Sequence, residues 1–371
     1  MHILYIHQYF VTPRQQGGTR SYELSRYLIG KGHHVTMITS GLQNPEFPVK
    51  KGERVTEYET DGIRVLAVRA GYNDARAGTG KAGWRRMLSF HVFARAAGKV
   101  GKRVANPDIV FATHTPLTVG FAGMALKRHF GIPFVFEVRD LWPEGMVNIG
   151  TLRNPFAIAY LRWMSRTFYH TADHISAASP GMRDGIMRYG IGAGKITVIT
   201  NASDLELFHP GKDGVAERKR LGLGDRFAAI YFGAMGQANG LDYVLEAAAE
   251  LKLRGRQDIV LVLHGEGGCK ADLKRRAQED GLNNVVFSDP VPEKAQMAAI
   301  VGGCDACLTI YEACKETSWS PNKFFDSLAA GKPVIVNVPG WLGDTVRNGA
   351  CGLQTDPANP LTLANALENL A

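Results

Sequence analysis

Residues 320–335 read SPNKFFDSLAAGKPVI. Three parts follow one another without a break. Pro321, Asn322 and Lys323 form a polar start, FFDSLAA has the composition of a short helix, and Gly331 marks its stop. Lys332 and Pro333 then lead into an apolar run that reads as a buried strand. A helix that feeds straight into a buried strand is one step of a βα series.

The same alternation runs outward from this block. Before it, FAAIYFGAM, DIVLVLHGEG, NVVFSD and DACLTI read as strands, with LDYVLEAAAELKLR, KADLKRRAQEDGL and VPEKAQMAAIVGGC as helices. After it, CGLQT reads as a further strand. The first half repeats the theme. HILYIHQYF, HHVTMITS, IRVLAVRA, PDIVFATH, IPFVFEVRD, HISAASP and KITVITNASD are strand-like, and RSYELSRYLIGKG is helical. Buried strands bracketed by amphipathic helices predict parallel sheets covered on both faces. Two such series predict an α/β protein of two Rossmann-like domains facing a cleft. The expected boundaries are 1–203 for the first domain, 204–226 for a polar, glycine-rich connection, and 227–371 for the second domain.

Bulk composition agrees. The chain has 371 residues, 45% apolar and 21% charged, which is ordinary for two globular cores. No run of 18 uncharged apolar residues predicts a membrane-spanning helix. MHILYIHQYF reads as a first strand, not as a secretion signal. The five cysteines all lie in the second half, an odd number that argues against a disulfide framework. Cys304 and Cys307 form a C-x-x-C without a second metal pair, and read as small buried thiols.

Charge is uneven. Residues 1–200 carry 26 Lys and Arg against 13 Asp and Glu, whereas residues 201–371 carry 17 against 22. A basic first half suits an anionic membrane, nucleic acid or an anionic substrate. The stretch KAGWRRMLSFHVFARAAGKVGKR, residues 81–103, interleaves aromatic and basic residues. Trp84, Arg85, Arg86, Phe90 and Phe93 are expected to face a membrane surface, with a helix packed on the sheet as the alternative. No helix-turn-helix, finger or RNA-binding motif accompanies the charge, so nucleic acid is not expected.

Candidate site residues cluster where strands give way to helices, the usual ligand-binding edge of such sheets. Gly17, Gly18 and Arg20 lie in QQGGTR after the first strand, where the backbone can approach an anion closely. The run is not a dinucleotide fingerprint, so no NAD site is inferred. His114 ends one strand in FATHTP, and Arg139 and Asp140 end another in FEVRDLWPE. In the second half, Gly236, Gln237 and Asn239 lie in GAMGQANG, and Gly265 and Glu266 in HGEG. Together these loops suit a diphosphate and a sugar. Pro321, Asn322 and Lys323 offer helix amides and a cation to phosphate, and Asp326 offers a carboxylate to a ribose. A helix cap and a first-turn charge are the bland alternatives.

With these residues assembled, the chain resembles the GT4 family of retaining, nucleotide-sugar-dependent glycosyltransferases with the GT-B fold. Within it, the chain is similar to bacterial transferases of O-antigen, capsule and exopolysaccharide assembly, including N-acetylfucosaminyl transferases. HILYIHQYFVTPRQQGGTRSYELSRYLIGKGHHVTMIT and SPNKFFDSLAAGKPVIV carry most of the resemblance, supported by EVRDLWPE, THTP and GEG. It covers nearly the whole chain.

The resemblance implies a sugar moved from a UDP-sugar to a polyprenyl-diphosphate-linked glycan, with retained anomeric configuration. It implies an N-acetylated hexosamine or deoxyhexosamine. His114 and Lys323 would serve catalysis, and no metal cofactor would be needed. The protein would be cytoplasmic, held at the anionic inner-membrane surface.

Three departures stand out. The family often has two glutamates separated by seven residues; the second falls at Asp326 and the first at Ser318, with Glu316 nearby. The basic pair that holds the donor diphosphate falls near Gln237 and Asn239. The chain ends at NALENLA, so a C-terminal helix crossing back to the first domain is expected to be absent. The rivals are a UDP-HexNAc epimerase of the same fold and a nonenzymatic nucleotide- or glycan-binding protein.

Overall fold

The computed structural model describes residues 1–15, 17–42, 44–70, 83–313 and 318–371. The chain divides into two units, Met1–Thr200 and Asn201–Ala371. In chain order the first holds β1 (His2–Ile6), α1 (Arg20–Gly30), β2 (His34–Ser40), β3 (Val55–Thr60), β4 (Ile63–Val68), α2 (Gly83–Gly101), β5 (Ile109–Thr113) and α3 (Val119–Phe130). Then come β6 (Phe134–Val138), α4 (Glu144–Asn148), α5 (Pro155–Thr171), β7 (His174–Ala177), α6 (Pro180–Met187) and β8 (Ile196–Val198). Its sheet runs β3-β4-β2-β1-β5-β6-β7-β8.

The expected parallel sheet has one exception. β3 pairs with β4 in the antiparallel sense at the sheet edge. Its sequence, VTEYET, alternates buried and exposed positions and lacks the continuous apolar run of an interior strand.

The second unit contains α7 (Val215–Arg220), β9 (Phe227–Ala234), α8 (Asp242–Leu253), β10 (Ile259–Glu266), α9 (Lys270–Glu279), β11 (Val285–Ser288) and α10 (Lys294–Gly302). β12 (Ala306–Thr309), α11 (Asn322–Ala329), β13 (Val334–Val336), α12 (Trp341–Asn348), β14 (Gly352–Gln354) and α13 (Pro360–Leu370) follow. The six strands are parallel, in the order β11-β10-β9-β12-β13-β14. α13 packs on α8 within this unit, burying Leu363, Ala364 and Leu367. Residues 204–226, expected as a connection, are built into the unit. Phe208, Leu221 and Leu223 join a core cluster with Ile230, Val260 and Val301.

Local chemistry fixes several helix starts. Asn154, Ser179 and Asn359 each accept hydrogen bonds from amides of the following turn, with Pro155, Pro180 and Pro360 next in sequence. Cys304 and Cys307 are buried free thiols, and burial raises both pKa values.

The membrane expectation for α2 needs correction. Phe90 and Phe93 are buried, and with Ala94 and Ala97 they form a stripe at three- and four-residue spacing. That stripe faces the core of the first unit, where α2 packs on α3. Arg85 and Arg86 remain exposed. The Trp84 side chain lies outside the described residues.

Candidate functional site

In the second unit, β9 and β10 converge at their carboxyl ends. Gly233 and Gly265 are paired across the two strands, with φ of 134° and 145°. A Cβ on Gly265 would lie 1.8 Å from the Gly233 carbonyl oxygen, so only glycine fits there. The next turn is self-supporting. Asn239 Oδ1 accepts from the Gly236 amide at 3.2 Å, and Gly240 closes the turn at φ 53°. Gln237 is exposed on that turn. Glu266 is engaged elsewhere: it accepts from Lys270 Nζ at 3.1 Å and from the Gly267 amide at 3.2 Å. The Lys270 hydrogen bond is the main cause of its lowered pKa.

The opening block holds the sharper feature. Pro321 stands at the N-terminus of α11 with an extended backbone and no side-chain cap. Lys323, in the first turn, lays its Nζ 3.6 Å from the Tyr231 ring centroid and 5.8 Å from that of Tyr311. A Cβ on Gly233 would meet that Nζ at 3.3 Å. No carboxylate pairs with the ammonium among the described residues. Burial pushes its pKa down to about 7. An arriving anion would restore the charge that burial disfavours. Tyr311 is stacked on Trp319, with ring centroids 4.4 Å apart and 13° between planes.

Asp326 lies one turn beyond Lys323 and is buried. Ser203 Oγ donates to its Oδ1 at 2.7 Å. Burial raises its pKa, opposed chiefly by that hydrogen bond. Asn201 Nδ2 donates to the Ser320 carbonyl at 2.5 Å. Asn201 and Ser203 thus fasten the first residues of the unit to the block; both lie in NASD, the end of the KITVITNASD run. Ser318 is buried, and Glu316 lies outside the described residues.

In the first unit, the loop after β1 is anchored by Glu46. Thr12 Oγ1 donates to both its oxygens at 2.9 Å, and Gln15 Nε2 donates to Oε2 at 3.2 Å. Gly17 has φ 145°, and a Cβ there would meet Val11 at 3.1 Å. Gly18 follows on the same loop. Arg20, expected to contact a diphosphate, is committed internally. Its Nε pairs with Glu137 Oε1 at 2.9 Å, and its Nη atoms donate to the Thr200 and Ile199 carbonyls at 2.6 and 2.7 Å. Glu137 is fully buried, and Thr113 Oγ1 donates to its other oxygen at 2.8 Å. The expectation for Arg20 is therefore replaced by a structural role.

His114 and Arg139 do share one neighbourhood. The His114 ring is buried edge-on to Trp142, with centroids 5.2 Å apart. Burial, aided by the Arg139 charge, pushes its pKa down to about 3, with a small opposing effect from the Asp140 backbone. The ring is thus neutral at physiological pH. It can hydrogen-bond to a sugar but carries no proton to deliver as an imidazolium. The same Arg139 charge acts on buried His7, whose Nδ1 meets Ser21 Oγ at 2.7 Å. Asp140 Oδ2 accepts from Thr115 Oγ1 at 3.4 Å.

Known proteins resemble the chain over its whole length. Residues 17–202 match the family described as glycosyl transferase 4-like domain, and residues 226–371 match glycosyl transferases group 1. A protein of Escherichia coli (strain K12), named as a colanic acid biosynthesis glycosyl transferase, WcaI, is 24% identical over 328 residues. The match covers 86% of this chain and 79% of that one. A Pseudomonas aeruginosa protein named as glycosyltransferase WbjE is 24% identical over 279 residues, 73% of this chain and 68% of its own. Among solved structures, sucrose-phosphate synthase from Thermosynechococcus elongatus aligns with a TM-score of 0.75 at 18% identity. That alignment covers 100% of this chain and 89% of the synthase. Anabaena HepE, solved with UDP and glucose, aligns at 0.68 and 17% identity over 100% and 89% of the two chains.

Proposed function

This chain belongs to the 4-like, group 1 glycosyltransferases of GT-B fold, and on that premise we propose that it transfers a sugar from a UDP-sugar to a polyprenyl-diphosphate-linked glycan in surface polysaccharide assembly. The observation that carries the donor half is Lys323: a half-buried cation in the first turn of α11 that pairs with no carboxylate among the described residues, one turn from the buried Asp326 carboxylate. A diphosphate would meet that cation and the free amides of the helix start. Asp326, with one oxygen bonded to Ser203, would accept from a ribose hydroxyl. The HepE structure, of the same fold, was solved with UDP and glucose, which supports this choice of nucleotide.

The transfer would retain anomeric configuration. The acceptor oxygen would attack from the face that UDP leaves, and its proton would pass to the departing phosphate. Catalysis would rest on Lys323 and the helix amides holding the charge on UDP, with neutral His114 bonded to the sugar. The reading assigns that charge to protein groups and requires no divalent metal. The transferred sugar would be an N-acetylated hexosamine or deoxyhexosamine. The colanic acid relative supports a surface polysaccharide as the product class.

The acceptor half rests on the first unit, where Arg139 and Asp140 flank His114's neighbourhood. An inner-membrane docking face would be built mainly from α5. Phe156, Tyr160 and Trp163 are 85%, 41% and 53% exposed at three- and four-residue spacing. Tyr160 Oη lies 3.2 Å from His91 Nε2, which joins this stripe to exposed Leu88 and Val92 on α2. Arg85, Arg153, Arg162 and Arg166 are exposed on the same two helices or just before α5. Aromatics amid arginines suit an anionic lipid surface. No helix among the described residues is long and apolar enough to cross a membrane.

The test is a panel of UDP-sugars with a short-chain lipid-diphosphate-sugar acceptor, read by mass spectrometry. A product one sugar heavier, with UDP released, is expected for one donor. Neither product nor UDP release with any donor would overturn this reading.

A further inference from the structure

Asp326 is a buried carboxylate with only part of its hydrogen-bonding capacity used. It is 8% exposed, and Ser203 Oγ donates to its Oδ1 at 2.7 Å. Its Oδ2 accepts from no described residue, and no described lysine or arginine pairs with it. Buried carboxylates are ordinarily paired, so an idle oxygen here points to a ligand.

Ser203 is half-buried, and its donation to Asp326 uses the one proton of its hydroxyl. Its lone pairs accept from no described residue. Burial pushes the Asp326 pKa up, and the Ser203 hydrogen bond opposes it, favouring the ionised form that only accepts. Together the two side chains present acceptors and no donor: Oδ2 of the carboxylate, and the hydroxyl oxygen beside it.

Both partners are held from other directions. Two residues before Ser203, Asn201 Nδ2 donates to the Ser320 carbonyl. On the other side, Asp204 Oδ1 accepts from the amides of Glu206 and Leu207 at 3.0 and 3.2 Å. The Asp204 carbonyl accepts from the amide of Phe208 at 2.8 Å, and Phe208 is anchored in the core. α11 is seated by Phe324, packed with Val334 and Val336. An oxygen pair fixed in this way loses little freedom when a ligand arrives.

The valences define that ligand. Two neighbouring acceptors without a donor call for two neighbouring donors. A vicinal diol supplies them, one hydroxyl to Oδ2 and one to Ser203 Oγ. A ribonucleotide carries such a diol on its ribose, and a 2′-deoxyribonucleotide does not. Lys323, one turn earlier on α11, would hold the phosphates of the same nucleotide.

We propose that Ser203 sets donor specificity: with Asp326 it forms a diol receptor that admits ribonucleotide sugars and rejects their deoxyribonucleotide counterparts. This assignment rests on the donor reading above and names the second group that reads the ribose.

The test compares a UDP-sugar with its 2′-deoxy and 3′-deoxy counterparts, using full-length wild type and Ser203→Ala. Wild type should favour the ribose donor about ten- to hundredfold in kcat/KM over each counterpart. Ser203→Ala should lose one of these preferences, through KM and not kcat. Ser203→Thr keeps the hydroxyl and should keep both preferences, whereas Ser203→Val, of the same shape without the hydroxyl, should match Ala. Both preferences intact in Ala and Val, or an equal loss with all three donors, would make Ser203 a support only and overturn the proposal. Failure of the Ala and Val variants to fold would overturn it too.

Thermal protection by UDP, 2′-deoxy-UDP and 3′-deoxy-UDP reads the receptor without turnover. Wild type should be protected best by UDP, and Ser203→Ala should no longer distinguish UDP from one of the deoxy forms. A wild type that transfers nothing, yet shows this pattern, would fell the transfer reading and leave the receptor standing. Transfer whose preferences ignore Ser203 would do the opposite.

Discussion

Arg20 and Lys323 occupy comparable places in the two units. Each lies in the first turn of a helix, α1 in one case and α11 in the other. Their surroundings differ completely. Arg20 is locked to fully buried Glu137 and to two carbonyls, so its charge is matched inside the protein. Lys323 rests on the face of Tyr231 with no carboxylate beside it among the described residues. An aromatic face only partly offsets the loss of water, which is why burial drives the lysine toward neutrality. The contrast separates a cation matched inside the fold from one that no carboxylate among the described residues matches.

The largest expected effect falls on the first. Arg20→Met leaves Glu137 buried without its partner and is expected to cost about 3–5 kcal/mol of stability. Urea unfolding of the variant measures it; a loss under about 1 kcal/mol would mean that the pair is dispensable and the contrast false. Arg20→Met with Glu137→Gln should recover part of the loss.

Lys323→Met should behave in the opposite way. Its kcat/KM for the donor should fall roughly a hundredfold, while melting temperature holds or rises at pH 7. The pH dependence has a definite sign. The free enzyme loses the lysine charge as pH rises through about 7, so kcat/KM should decline above that pH. Lys323→Arg should abolish that decline. Folding shows the reverse trend. Between about 7 and the ordinary lysine value of 10.5, the unfolded chain holds the proton that the folded chain has released. Stability from this group therefore rises with pH across that window, and the Met variant should lack the rise. A Met variant that loses stability and keeps activity would place Lys323 beside Arg20 as a structural cation.

Asp326→Asn should have a smaller effect. It keeps the Ser203 contact but weakens acceptance from the ribose, and should raise KM for the UDP-sugar about tenfold. Uridine analogues lacking ribose hydroxyls should narrow the gap between variant and wild type.

The smallest effect concerns a parallel contrast among aromatics. Phe93 is buried on α2, whereas Trp163 is exposed on α5. Trp163→Ser should leave unfolding unchanged and weaken binding to anionic vesicles by about tenfold or less. Equal binding by the variant would remove α5 from the docking face.

Much of this was legible in the sequence. The βα alternation gave both sheets apart from β3, whose polar edge position disguises it. The placing of Lys323 and Asp326 on one short helix was legible because the helix start and the glycine stop bracket them in one short block. Their partners were not. Tyr231 and Ser203 come from distant segments, and Glu137 is 117 residues from Arg20. Such pairings depend on strand order, which no local pattern encodes.

The α2 aromatics were misread for a different reason. Their mixture with arginines suggests an interface, but their three- and four-residue spacing points Phe90 and Phe93 the same way as Ala94 and Ala97. α5 shows the limit of that spacing. It carries two stripes of the same period, one buried through Leu161, Met164 and Phe168 and one exposed through Phe156, Tyr160 and Trp163. Spacing alone does not say which stripe meets the sheet.

The segment before β9 has a practical consequence for dissecting the protein. A fragment begun at residue 227 would follow the strand pattern, yet it would discard Phe208, Leu221 and Leu223 from the core. It would also lose Pro210, whose ring fills the space beside Gly331, and Gly214, which packs backbone to backbone against Gly302 and Gly303. Such a fragment should be insoluble or protease-labile. One begun at Asn201 retains these contacts, together with the Asn201 and Ser203 bonds to the 320–326 block, and is the piece to express for nucleotide titrations.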